Sequence, residues 1–189
     1  NWQTRKIQIL VAARPWGFKS PLSHHRPHPE PMDSSSFRTI MGNFATGVTV
    51  VTTQVNGRLH GFTANAVTSV SLDPMLLLVC VDKNANAHAE LADATHFGLS
   101  ILAEGQREIS DLFADRGEPE EGRLRGGTAY SVSERGTPLL DGALGVLDCE
   151  IADRLEAGDH TIVLGRVIGG SAGVDQPPLL FFRGAYGGE

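Results

Sequence analysis

The stretch Gly47-Val48-Thr49-Val50-Val51-Thr52-Thr53, followed at once by a turn signal at Asn56-Gly57, decides the class of fold. Six consecutive β-branched residues favour an extended backbone, because a pleated strand relieves the crowding at Cβ that a helix imposes. Asn-Gly accommodates the two positive φ angles of a tight hairpin turn, so the chain is expected to return as a second strand. Upstream, Asp33-Ser34-Ser35-Ser36 offers N-cap oxygens, and Phe37, Ile40, Met41 and Phe44 recur at the spacing of one helix face. That pattern predicts a short amphipathic helix ended by Gly47. Downstream, Val67–Leu72 alternates valine with hydroxyl residues, Asp73-Pro74 breaks it, and the continuous apolar run Met75–Val81 suits a buried strand. Asn86–Ala94 and Gln106–Ala114 carry helical spacing, the second burying Ile109, Leu112 and Phe113, with strand-like Phe97–Leu102 between them. Gly142–Leu155 and Thr161–Ile168 are two extended runs joined around Gly158-Asp159-His160, and Leu179–Phe182 is a last short one before a glycine-rich tail. Strands outnumber helices and follow one another as a meander. A mainly β fold, an antiparallel barrel with accessory helices, is expected rather than a doubly wound sheet.

The 189 residues carry 16 Lys+Arg against 22 Asp+Glu, a formal charge of −6, and 41% apolar residues with no run long enough to cross a bilayer. This suits one soluble domain. The acidic balance and a total of three lysines argue against a nucleic-acid partner, which needs clustered cations to neutralise phosphates. No membrane partner is expected either. Cys80 and Cys149 sit in apolar stretches and cannot build a disulfide framework or a four-ligand zinc site, so a reducing cytoplasm is the expected location. Residues 1–31 differ from the remainder: five basic residues and one acid give this segment +4, leaving −10 for the other 158 residues. Its five prolines oppose a helix. It is taken as an extended, non-domain N-terminal extension, upstream-encoded or added by cloning, with the domain spanning 32–189. His24, His25 and His28 lack a flanking carboxylate or cysteine at ligand spacing, and no metal site is expected.

Dinucleotide-fold, P-loop and zincin signatures are missing from the sequence. Gly169-Gly170-Ser171-Ala172-Gly173 satisfies G-x-S-x-G, the nucleophile elbow of hydrolases, but the elbow needs a helix directly after the serine. Pro177 and Pro178 follow instead, so Ser171 is read as part of a flexible loop. More informative is Gly61–Ser71, where small and hydroxyl residues replace the charges expected on an exposed stretch. Hydroxyls and backbone N–H groups can hold a phosphate or the edge of a polar ring without lysine, and small side chains let the backbone approach it. An ordinary Thr/Ser-rich strand is the other reading.

The order of motifs from Phe37 to Tyr186 resembles the flavin reductase-like family, with its FMN-binding split-barrel fold. It rests on Phe37-Arg38, Met41-Gly42 and Phe44–Thr52, on Thr63-Ala64-Asn65 through Ser69-Val70-Ser71-Leu72-Asp73-Pro74, on Gly158-Asp159-His160, and on Phe182-Arg183-Gly184 with Tyr186. The resemblance implies an antiparallel split β-barrel enzyme, an NAD(P)H:flavin oxidoreductase using FMN or FAD with NADH or NADPH as co-substrate. It implies a homodimer that passes reduced flavin to a separate flavin-dependent monooxygenase. By position, Thr46, Gly47 and Val48 would lie beside the flavin, and Thr63, Ala64, Asn65 and Ala66 would run along the isoalloxazine edge. Ser69, Val70 and Ser71 would lie near the ribityl phosphate, and Cys80, Val81, Asp82 and Lys83 would border the cofactor, Lys83 either meeting a phosphate or standing solvated at a strand end. His160 would be the catalytic residue where the nicotinamide stacks, with Arg183 and Tyr186 nearby. Two positions depart from the family pattern: Ala66 stands where serine is frequent, and Met75 where a second proline is common. Two other classes compete, a split-barrel protein holding FMN for sensing or storage, and an oxidase of a pyridoxamine phosphate-like substrate. The second would want several cations gathered round the substrate phosphate.

Overall fold

A computed structural model describes residues 31–115 and 122–187. The expected N-terminal extension lies outside these residues except for Pro31. The β-branched run forms β2 (Thr49–Val55), and β3 (Arg58–Ala64) returns antiparallel to it with Val55 opposite Arg58. Asn56 and Gly57 turn the chain between them with φ of 51° and 78°, the twin positive angles of a two-residue hairpin.

Seven strands make one antiparallel sheet in the order β3-β2-β6-β9-β10-β5-β4, where β4 is Val67–Leu72, β5 Met75–Asp82, β6 His96–Ile101, β9 Gly145–Ala157 and β10 His160–Ala172. The two outermost strands, β3 and β4, are consecutive in the chain and joined only through Asn65 and Ala66. The sheet must therefore curl until its edges meet, which makes it a split barrel rather than an open sheet. The joint is pinned where the Thr49 hydroxyl donates to the Ala64 carbonyl at 2.6 Å and the Cys80 amide donates to the Ala66 carbonyl at 3.0 Å.

β2 is buried on both faces, which explains its unbroken apolar and threonine run. Val51 points into the barrel with Val79, Phe97, Leu99 and Cys149, whereas Val50 packs outside it with Leu102, Phe113, Leu124 and Leu179. Its threonines are not an exception to apolar burial, because Thr52 and Thr53 donate to the carbonyls of Pro138 and His96. Burial, with Asp148 beside it, pushes the Cys149 thiol up to about 12, so this cysteine packs as an inert hydrophobe.

Helices α2 (Asn86–Asp93) and α3 (Arg107–Ala114) fall where the spacing predicts them, and α1 (Ser34–Met41) ends three residues before Phe44. A three-stranded sheet of β1 (Thr46–Gly47), β11 (Leu180–Phe182) and β12 (Ala185–Tyr186) turns the expected glycine-rich tail back on itself. The hairpin of β7 (Tyr130–Val132) and β8 (Pro138–Leu140) is not foreseen by the sequence reading. One expectation is corrected: Ser171 is not in a flexible loop. It pairs with Val146 as β10 runs on to Ala172, because β9 continues beside it through two register shifts, and that pairing overrides the poor strand propensity of Gly169 and Gly170. The hydrolase elbow still fails, since no helix follows the serine.

Candidate active site

A cavity of about 840 Å³ opens beside the joint of β3 and β4, within the range of cofactor sites. One wall is Asn65, Ala66, Val67 and Thr68; β1 supplies Thr46 and Gly47, β5 supplies Leu78 and Cys80, and α1 with the residues after it supplies Phe37, Arg38, Met41 and Phe44. Its polar groups are mostly neutral: hydroxyls, one amide and one thiol. Two features fit a bound ring system. The Thr46 Oγ1 is buried with no hydrogen-bond partner, and a Cβ added at Gly47 would meet nothing within 4 Å, so the strand leaves space where a ligand face can approach the backbone.

A second group of polar side chains stands at the near end of the β9–β10 hairpin. His160 opens β10 opposite Asp82, two steps from the Cys80 level of β5 and thus roughly 7 Å along the strand from the cavity wall. Its Nδ1 lies 2.8 Å from an Asp159 carboxylate oxygen. The His160 hydrogen bond and charge hold the Asp159 carboxyl below its ordinary value, with Arg38 acting in the same direction. An ionised Asp159 takes the Nδ1–H and leaves Nε2 for another partner.

Of the residues expected from sequence, Thr46, Gly47, Asn65, Ala66, Cys80 and Arg183 line the cavity. The others are placed elsewhere. Val48, Ala64 and Val81 are core residues, and Thr63 turns its hydroxyl to the Ser110 carbonyl of α3 at 2.6 Å. Ser69, Val70 and Ser71 lie on the edge strand β4, where the ladder skips Val70 and the Ser71 hydroxyl accepts from the Asp73 amide. Asp82 caps the following turn through the Asn84 amide. Lys83 pairs with Glu156 and donates to the Gly158 carbonyl at 2.9 Å, an arrangement that holds the Glu156 carboxyl low. The Tyr186 hydroxyl meets Ser110 Oγ at 2.9 Å, its ring lies under Arg107, and burial raises its pKa. Residues missed by the sequence reading include Thr68 and Ile101. The alternation of β4 was a usable signal for the former, since it puts Thr68 on the same side as the end of the β3–β4 joint.

The profile of the flavin reductase like domain matches residues 41–189. The reductase component of a flavin-dependent trigonelline monooxygenase from Acinetobacter baylyi is 42% identical over 154 residues, 79% of this chain; the chain spans about half of that relative, 47% of its length. An FMN reductase (NADH) from Agrobacterium fabrum is 37% identical over 82% of this chain and 86% of its own. Among solved structures, an NADH:FAD oxidoreductase from Streptomyces globisporus in complex with NAD and FAD fragments superposes with a TM-score of 0.75. It is 38% identical, with 82% of this chain and 91% of that one covered.

Proposed function

The chain belongs to the flavin reductase-like family, and from that premise we propose that it is an NAD(P)H:flavin oxidoreductase that supplies reduced flavin to a partner monooxygenase. The observation that carries the proposal is the mostly neutral cavity at the β3–β4 joint, with the Asp159–His160 pair two residue steps along β5 from its Cys80 wall. Hydride transfer from the nicotinamide to the flavin is the chemistry the bound groups supply, and the protein's contribution is geometry and electrostatics. Asn65, Ala66 and Thr68 would hold the ring edge, Thr46 would complete its hydroxyl's hydrogen bonding on the flavin, and Gly47 would let the ring approach β1. His160 would orient the nicotinamide through Nε2. Among the described residues lining the cavity there is no carboxylate to repel an anionic cofactor. FMN and FAD, and NADH and NADPH, are distinguished by a single assay: oxidation of each coenzyme with each free flavin, followed at the nicotinamide band. Oxidation that requires and saturates with added flavin supports the proposal. Tightly retained flavin with no coenzyme oxidation would replace it with the sensing or storage reading.

Residues 32–189 form the proposed functional unit, and Cys80 and Cys149, both free thiols, fit a reducing cytoplasm. A homodimer is part of the same proposal. Helix α1 buries none of its residues, and Phe37 and Phe44 are 55% and 70% exposed, with Ile40 and Met41 beside them. Among the described residues this amphipathic face has no covering partner, and part of it borders the cavity, so a second subunit laid on it would close both at once. Sedimentation of the full chain is expected to give twice the chain mass, and Ile40→Glu is expected to shift it to the monomer, weakening association by about 10-fold or more as a buried charge does. A monomeric wild-type chain at micromolar concentration would remove this element.

A further inference from the structure

Two of the cavity's lining residues carry charge, and both are arginines. They come from opposite ends of the domain and are brought to one rim by a backbone contact, the Arg183 amide donating to the Gly42 carbonyl at 2.9 Å. Arg183 sits in the β11–β12 turn with a φ of 51°, and its guanidinium is engaged: Nε donates to Asn43 Oδ1 at 2.9 Å and the group lies 5.0 Å from the centre of the Phe182 ring. It fastens the turn to the end of α1. Arg38 differs. It stands one helical turn before Gly42, whose amide its carbonyl accepts at 2.8 Å, and its side chain makes no hydrogen bond or ion pair with another described residue. It borders the cavity on one side, and its charge is felt by Asp159 on the other.

The polarity of the cavity thus runs from the neutral wall of Asn65, Thr68 and Cys80 to a cationic rim at Arg38. A ligand with an uncharged ring and an anionic tail has one favourable orientation in such a field. Of the groups expected from sequence to meet the phosphate, Ser69, Ser71 and Lys83 are not among the residues lining the cavity, and Lys83 is paired with Glu156. We propose that Arg38 receives a phosphate of the nucleotide bound in this cavity, through the planar donor fork that suits that group. This rests on the reductase reading. The phosphate has two possible sources, the flavin tail and the coenzyme pyrophosphate, and the variants below separate them.

The test uses the full chain with Arg38→Ala and Arg38→Lys, titrated with FMN and with riboflavin, which lacks the phosphate, and assayed with NADH. If the flavin phosphate is held, Arg38→Ala weakens FMN by about 10- to 100-fold and leaves riboflavin within about twofold, with Arg38→Lys in between. If the coenzyme phosphate is held, FMN affinity stays and the KM for NADH rises about 10-fold at unchanged kcat. Either result supports the proposal. All three ligands unchanged, or riboflavin weakened as much as FMN, would overturn it by making Arg38 a solvated residue or a packing one. A wild-type chain that binds FMN in an Arg38-dependent way yet oxidises no coenzyme would remove the reductase reading and keep this site. A chain that binds neither FMN nor FAD and oxidises neither NADH nor NADPH would end both.

Discussion

Replacing His160 with alanine is expected to lower kcat/KM for NADH by about 10- to 100-fold while flavin affinity changes by less than about twofold. The split follows from position. His160 begins β10 at the outer end of its pairing with β5, whereas the groups that line the cavity lie deeper, at Cys80 and along the β3–β4 joint. The Asp159 carboxylate at 2.8 Å fixes the imidazole by its Nδ1, and in the proposed role Nε2 would supply one polar contact to the nicotinamide. Losing one oriented hydrogen bond and its stacking surface removes an interaction of this size, and removes it from the coenzyme alone. Steady-state rates at several NADH concentrations, set beside a flavin fluorescence titration, give the two numbers separately. Equal losses in both would mean that His160 belongs to the flavin site or to the hairpin, and not to the coenzyme.

Gly98→Ala is expected to be among the most damaging single methyl groups in the domain. Gly98 lies on β6 opposite Thr52, and a Cβ there would come to 2.4 Å from the Pro138 carbonyl oxygen and 2.6 Å from the Thr52 hydroxyl. Both atoms belong to the contact by which β8 docks on the barrel, for the Thr52 hydroxyl donates to that same carbonyl and the Leu140 amide donates to Ser100 Oγ at 3.0 Å. Neither obstacle is the free end of a flexible side chain. The methyl group must push β8 away and leave a buried hydroxyl and carbonyl unpaired, a cost of about 3 kcal/mol. For a domain of this size the melting temperature should fall by roughly 6–12 °C. Gly105→Ala is the control, since a Cβ there meets nothing within 4 Å, and its melting temperature should not move. An unchanged Gly98→Ala melt would show that β8 is loosely held.

What the sequence makes legible here is what adjacent residues decide. The run Thr49–Thr53, the Asn56-Gly57 turn and the apolar stretch Met75–Val81 carry their conformations in their own side chains, and each adopts the strand or turn expected of it. The cavity lining is legible where it coincides with such local features, as at Thr46, Gly47, Asn65 and Ala66. It is obscure where a partner distant in sequence claims the residue first. Lys83 is taken by Glu156 across the β9–β10 hairpin, and Tyr186 by Ser110 of α3, and no local pattern announces either. The apolar face of α1 was equally undecidable: its spacing says that it should be covered, but not that Phe37 and Met41 would border a cavity while Leu112 and Phe113, of similar character, pack against the core beside Val50.

The meeting of β3 and β4 through two residues also bears on how this protein tolerates heat. A complete barrel shares its load around an unbroken ring of ladder bonds; here the ring is interrupted at the place where the cavity lies, and the Thr49 and Cys80 hydrogen bonds are its stitches. A ligand seated in that gap bridges the two lips as a missing rung would. Its binding energy is then added directly to the cohesion of the native state. Under the proposed function, full occupancy would make the fold sturdiest and each release of cargo would return it to its least reinforced form, so durability and turnover would be coupled through one short seam.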